Sequence, residues 1–293
     1  MARVFATADI GSNTVHLLIA EAENGRAIRI ENQSEWLALG EAVARTGEIP
    51  LDRADLLVQM LRDHEITALR CKAERLYVFA TEAMRASKNG VKVIKRIRAE
   101  TGIEVDIISP RREAELSLKG VTMDAPSQLG MLLEVGGGSA QIAICVNKTI
   151  EAEYSLPIGT GRLQADLRLT QPTTPECVSD LHDTVLQSLS KIPKHEIART
   201  TVASGGIARG LWRALHPDGD QVIALQEIEF LEWTCAPLSR DQIGRRFGVK
   251  SKRAAAMLPG AVVYGAVLRH FGATEMFVSE YGVREGAILE MAG

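Results

Sequence analysis

Two stretches of this chain, ADIGSNTVHLLIAE at residues 8–21 and LEVGGGSAQIAICV at residues 133–146, follow one order of residue types. Each presents an acid, an aliphatic residue, glycine, small residues and then an apolar strand. Repetition of a whole unit within a chain points to two similar domains. A length of 293 residues suits that division. The spacing predicts a domain over 1–121 and a second over 122–293.

The glycines of these stretches constrain the chemistry. A dinucleotide loop places its glycines between a strand and a helix, and a Walker-type loop needs Gly-Lys followed by Ser or Thr. Here an apolar strand follows and that lysine is absent, so both are excluded. What remains is a strand–turn–strand hairpin whose glycines let successive backbone N–H groups face one anion. Asp9 and Glu134, each ending the incoming strand, would then stand beside bound phosphate as ligands of Mg²⁺ or of its water shell. The alternative is a tight hairpin with a carboxylate accepting turn N–H groups. The presence of two matched hairpins favours the anion reading.

Periodicity supplies the frame. Strands are expected at Val4–Ile10, Thr14–Glu21 and Ala27–Glu35, a helix at Leu51–Cys71, and a buried strand at Arg75–Ala80. A helical region from Glu82 to Thr101, interrupted near Asn89-Gly90, leads to a strand at Glu104–Ile108. Ser109-Pro110 reads as the cap and first position of a helix reaching Val121. The pattern then restarts, with strands at Leu129–Val135, Ala140–Val146 and Thr149–Ser155, the last two joined by a turn at Asn147-Lys148. Helices are expected at Arg162–Leu169 and Pro175–Lys191, and a strand at Thr200–Ala203 running into Gly205-Gly206. The remainder reads as mainly helical, with a short strand near Glu275–Ser279.

A formal net charge of −3 argues against a general nucleic-acid or membrane binder, which needs a broad excess of Lys and Arg. The four cysteines form no CxxC pair, so neither a zinc site nor a disulfide framework is indicated and a reducing cytoplasm is expected. No stretch has the length and apolarity of a signal peptide or membrane span.

The segments ADIGSNTVHLLI, FATEAMRASKNG, ISPRREAELSLKGV, LLEVGGGSAQIAI, SLPIGTGRL, ASGGIARGL and YGVREGAI occur in the order found in the exopolyphosphatase and guanosine-pentaphosphate phosphohydrolase (Ppx/GppA) family, and the chain resembles its short, two-domain form. The resemblance implies an α/β fold of two actin-like (ribonuclease H-like) domains, each a βββαβα-type mixed sheet with helices, facing an interdomain cleft. It also implies Mg²⁺-dependent hydrolysis of terminal phosphate from inorganic polyphosphate, and a homodimer. A phosphorylated guanosine nucleotide is the alternative substrate, and a weakly active polyphosphate- or nucleotide-binding sensor the non-enzymatic alternative.

By the same resemblance Glu113 is the catalytic glutamate, orienting or deprotonating the attacking water, and Arg85 binds phosphate oxygens. Local chemistry offers plainer roles, an acid near a helix N-terminus for Glu113 and a solvated arginine for Arg85. Ser12, Asn13 and Thr14 in the first hairpin, and Gly136, Gly137, Gly138 and Ser139 in the second, would supply further phosphate donors. Arg162, Gly205 and Gly206 match further phosphate-lining motifs. Lys88, Asn89, Arg253 and Arg284 are weaker candidates, with helix stops, caps and structural pairing as alternatives. Arg111-Arg112 offers a contact for an extended polyanion, with a solvated basic face as the plainer reading, and His16 reads as a packed or turn-proximal side chain. The chain departs from the family pattern in its second hairpin. Glu134 stands where the pattern has Asp, and Gln141, which would reach a cation through a water and offers it no charge, stands where it has Glu. Glu115 replaces a common arginine.

Overall fold

A computed structural model describes residues 2–194 and 200–293. The chain forms two compact units, Met1–Met123 joined by Tyr281–Gly293, and Asp124–Glu280.

The first unit begins with β1 (Arg3–Ile10), β2 (Thr14–Glu23) and β3 (Arg26–Trp36) and continues with helices α1 (Leu39–Thr46) and α2 (Leu51–Arg70). It goes on through β4 (Leu76–Ala80), α3 (Glu82–Ala86), α4 (Gly90–Thr101), β5 (Val105–Ile107) and α5 (Pro110–Val121). The sheet order is β3-β2-β1-β4-β5, with β1 antiparallel to β2 and parallel to β4. A strand so placed is covered on both faces, which explains why β1 and β2 are almost wholly buried instead of alternating. Ala54, Leu57, Val58 and Leu61 recur every three or four residues on α2 and pack with Ala8, Ile10 and Val78 in one core cluster.

The second unit repeats the plan. It contains β6 (Leu129–Val135), β7 (Ala140–Val146), β8 (Thr149–Leu156), α6 (Thr160–Asp166), α7 (Pro175–Leu189), β9 (Thr200–Ser204) and α8 (Gly205–Leu215). It closes with β10 (Val222–Ala224), α9 (Leu225–Cys235), α10 (Arg240–Phe247), α11 (Ser251–His270) and β11 (Glu275–Val278). Its order β8-β7-β6-β9-β11 matches that of the first sheet, and antiparallel β10 is added at the edge. Two mixed sheets of this topology make the expected actin-like α/β fold. The turn between β7 and β8 has Asn147 and Lys148 both at positive φ, as a two-residue hairpin with matching twist requires.

The expected second domain over 122–293 is corrected at its far end. Helix α12 (Val283–Ala292) returns to the first unit and packs along α5. Two glycines permit this. A Cβ on Gly286 would overlap the Leu116 carbonyl, and one on Gly120 would overlap the Gly282 carbonyl, so the two helix backbones touch without side chains between them. Glu285 is 2% exposed yet satisfied, because one oxygen takes the Arg29 guanidinium at 2.9 Å and the other accepts the Gly282 N–H at 3.0 Å. Arg284 donates to Asn32 on β3, a structural pairing. Helix α1 and strand β10 were not expected. The first is eight residues long and follows Ala38 at positive φ with no side-chain cap, and the second has three residues, so neither offers a full local signal.

Among the described residues no helix is long and apolar enough to cross a membrane. All four cysteines are free, and burial pushes the thiols of Cys145 and Cys235 up to about 11 and about 12. Thiolate is the reactive form. A disulfide reagent at pH 8 is therefore expected to modify only Cys71 and Cys177 in the native protein, with the other two reacting after denaturation; rapid native labelling of all four would contradict the packing described.

Candidate active site

The first hairpin is tight. The Gly11 N–H donates to the Thr14 carbonyl at 3.0 Å. The Ser12 carbonyl accepts from the Gly40 N–H at 2.7 Å, and the Asn13 carbonyl accepts from Leu37 and Ala38 at 2.9 Å each. A trans peptide is planar, so a carbonyl turned toward the β3–α1 connection sends the following N–H the opposite way. The N–H groups of Asn13 and Thr14 are thus aimed away from that connection, in the arrangement that receives an anion. Gly40 is part of the device, because a Cβ there would stand 2.8 Å from the Ser12 Cβ. Ser12 is buried. Asp9 pairs in register with His16, whose Nε2 lies 2.7 Å from the Thr14 hydroxyl, so His16 is turn-proximal as expected.

The second hairpin uses the same construction. Gly136 N–H donates to the Ser139 carbonyl at 2.9 Å, while the carbonyls of Gly136 and Gly137 accept from Thr160 and Arg162 at the start of α6. The N–H groups of Gly137 and Gly138 therefore face the other way. Gly159 takes the part of Gly40, since a Cβ on it would overlap the backbone of Gly138 and Ser139. Arg162 thus contributes its backbone N–H to holding the turn. Gly40, which lies in the first turn of α1, was missed.

A polar row crosses the second sheet at this end. Register places Ser155, Gln141, Glu134 and Ser204 side by side on β8, β7, β6 and β9, and directly paired residues share a face. The Ser204 hydroxyl donates to Glu134 Oε2 at 3.0 Å. The buried Tyr264 hydroxyl accepts from the Val135 N–H and donates to the Ser204 carbonyl, joining β6 to β9 beneath the row. Gly205, at φ +89°, lies against this carboxylate; a Cβ there would stand 2.9 Å from Glu134 Oε1. Gly206 is exposed, and its carbonyl accepts from Arg253 at 3.1 Å. The glutamate, one methylene longer than aspartate, therefore needs Gly205 for space. Gly205→Ala is expected to cost about 1–3 kcal/mol through overpacking and left-handed strain. Glu134→Asp should remove part of that cost, giving a coupling of about 0.5–3 kcal/mol in a double-mutant cycle read by urea unfolding. Simple additivity would contradict the contact.

Glu113 sits in the first turn of α5. Ser109 caps this helix by accepting the Arg112 N–H, and Pro110 opens it, as the sequence predicts. Arg85, following β4 and within α3, donates through Nη1 to Glu113 Oε2 at 3.0 Å and to the Ile108 carbonyl at 2.6 Å. Its Nη2 lies 3.4 Å from Glu82. The side chains of Arg85 and Glu113 are 16% and 14% exposed, so the pair is largely shielded from water. Glu82 was not expected here; the signal was its place three residues before Arg85, one helical step on the same face.

The weaker candidates separate. Asn89 gives both ends of its amide to the Ile49 backbone, at 2.8 Å each, and is structural. Lys88 is exposed. Arg111 and Arg112 pair with Glu115, and Arg112 also with Glu290, so that basic run is compensated locally. Among the described residues no three His, Cys, Asp or Glu side chains gather as a metal cluster.

The sequence matches the Ppx/GppA phosphatase family over residues 18–293, and the chain belongs to that family. Exopolyphosphatase 1 of Mycobacterium tuberculosis is 30% identical, with 96% of this chain and 86% of the relative covered. Exopolyphosphatase 2 of the same organism is 26% identical, with 98% of each covered. The crystal structure of the Aquifex aeolicus Ppx/GppA family member superposes with a TM-score of 0.84 at 26% identity, covering 100% of this chain and 98% of that one. An exopolyphosphatase from Cytophaga hutchinsonii shares the fold, with a TM-score of 0.86 at 22% identity, covering 99% and 97%.

Proposed function

We propose that this protein is an exopolyphosphatase that removes terminal phosphate from inorganic polyphosphate by attack of water. The observation that carries the reading is the shielded Arg85–Glu113 pair, in a unit that also holds an anion-ready hairpin. Outward N–H groups of the hairpins, with the Thr14 and Ser139 hydroxyls, take phosphate oxygens. Arg85 has five N–H donors in a fixed fork, enough to hold Glu113 and a phosphate oxygen together. Glu113 accepts a proton from the water as its oxygen bonds to the terminal phosphorus. The bond from that phosphorus to the bridging oxygen breaks, and orthophosphate and a chain one unit shorter leave. Such catalysis is mostly positioning and charge stabilisation.

Mg²⁺ fits the donors present. It usually takes one or two carboxylates from protein and completes its shell with water and substrate phosphate, and Asp9 and Glu134 each offer one carboxylate. When bound, Mg²⁺ supplies neutralisation of charge on the phosphate oxygens. A homodimer and a cytoplasmic location belong to the same proposal, on the family likeness alone.

The test is phosphate release from long-chain polyphosphate, guanosine pentaphosphate and ATP with Mg²⁺. Polyphosphate is expected to give the highest kcat/KM. A clear preference for guanosine pentaphosphate would assign the alternative substrate instead, and tight binding without release would make the protein a sensor.

A further inference from the structure

Gln141 is 6% exposed, and its Nε2 lies buried with no hydrogen-bond partner. Buried amide donors are nearly always satisfied, because an orphan forfeits its hydration. Glu134 lies beside it in register, and one oxygen of that carboxylate accepts from Ser204 on the opposite side. The first unit shows the contrasting solution. There His16 holds the same place opposite the acid, and its Nε2 meets the hydroxyl of Thr14 two residues earlier. In the second unit Ser139 stands two residues before Gln141, and the amide nitrogen makes no such contact.

We propose that Gln141 is a substrate-binding residue whose amide N–H takes an oxygen of a phosphate bound at the Gly137–Ser139 turn directly, with no cation interposed. This rests on the polyphosphate reading above. A cation would be repelled by an N–H donor, whereas a phosphate oxygen is the acceptor it lacks. The Gln141 side chain has three rotatable bonds, and the amide swings from the row toward the turn as the oxygen arrives. An amide in place of a second carboxylate also removes one negative charge from beside the incoming polyanion.

Removing the donor is expected to weaken binding while stabilising the empty protein. Tripolyphosphate binding is measured by calorimetry in the Glu113→Gln protein, with EDTA and again with Mg²⁺, to separate binding from turnover. Adding Gln141→Met, similar in volume and without donors, is expected to weaken binding in EDTA about tenfold and to raise Tm by about 2 °C. Gln141→Glu should weaken binding in EDTA at least as much, with recovery on adding Mg²⁺. Equal affinity of the Met variant, or binding by the parent only when Mg²⁺ is present, overturns the inference and leaves the functional reading standing. Absence of tripolyphosphate binding under both conditions overturns both. A lower Tm for the Met variant shows that the amide is structurally satisfied and also overturns the inference.

Discussion

Replacing Glu113 with Gln is expected to lower kcat on long-chain polyphosphate by about 10²–10⁴-fold, the usual range for loss of a positioned general base, while KM changes little. Glutamine preserves shape and still accepts the Arg85 hydrogen bond now made at 3.0 Å, so the local structure has no reason to collapse. What it loses is the capacity to take a proton. Glu113→Ala is a poorer test, because it strips Arg85 of a partner in a largely water-free setting and mixes loss of catalysis with loss of stability. Glu82→Gln is the informative companion. It removes a charge from the far side of Arg85, where the contact is 3.4 Å and looser, so its effect on kcat should be much smaller. If Glu113→Gln retained kcat within about threefold, well below the range for a general base, the assignment of Glu113 as base would be wrong. If Glu82→Gln instead produced the large loss, the acid on α3 would take that role.

What could be read in advance was local. The acid–glycine–strand order of both hairpins, the Ser109-Pro110 cap and the Asn147-Lys148 turn each depend on residues adjacent in the chain, and adjacency is what a sequence displays directly. Gly40 matters through a contact across folded loops. Gly40 meets Ser12, 28 positions earlier, and nothing near Gly40 announces that meeting. Gly205 was assigned from its motif to phosphate, and the structure adds a second demand, room for the Glu134 side chain, which follows from the register of β6 with β9. Helix α12 was placed in the wrong unit for a related reason. Its apolar residues read equally well as filling either core, and the glycines that choose α5 as its partner carry no periodic signal.

Those glycines set the largest stability effect expected. Gly286→Ala places a Cβ inside the Leu116 carbonyl, and a Cβ has no rotamer by which to escape. The obstacle is helix backbone and cannot give way as a flexible side chain would, so α5 and α12 must separate. Overpacking costs about 1–3 kcal/mol where side chains can shift, and a cost at or above the top of that range is expected by urea unfolding. Detaching α12 is no cheaper, because it would expose Ile288, Ala287 and Val283 together with the faces of Leu116, Phe79 and Leu18 that they cover, at about 1.5–3 kcal/mol for each large apolar side chain. Activity should fall with stability, since α5 carries Glu113 and loses its support. Gly120→Ala meets the Gly282 carbonyl across the same gap and should cost a similar amount. The double variant should cost clearly less than the sum, because helices already forced apart by one methyl accommodate the second. Additive effects would mean that the two glycines act on separate contacts; a Gly286→Ala protein as stable as the parent would mean that α12 does not pack against α5 at backbone distance.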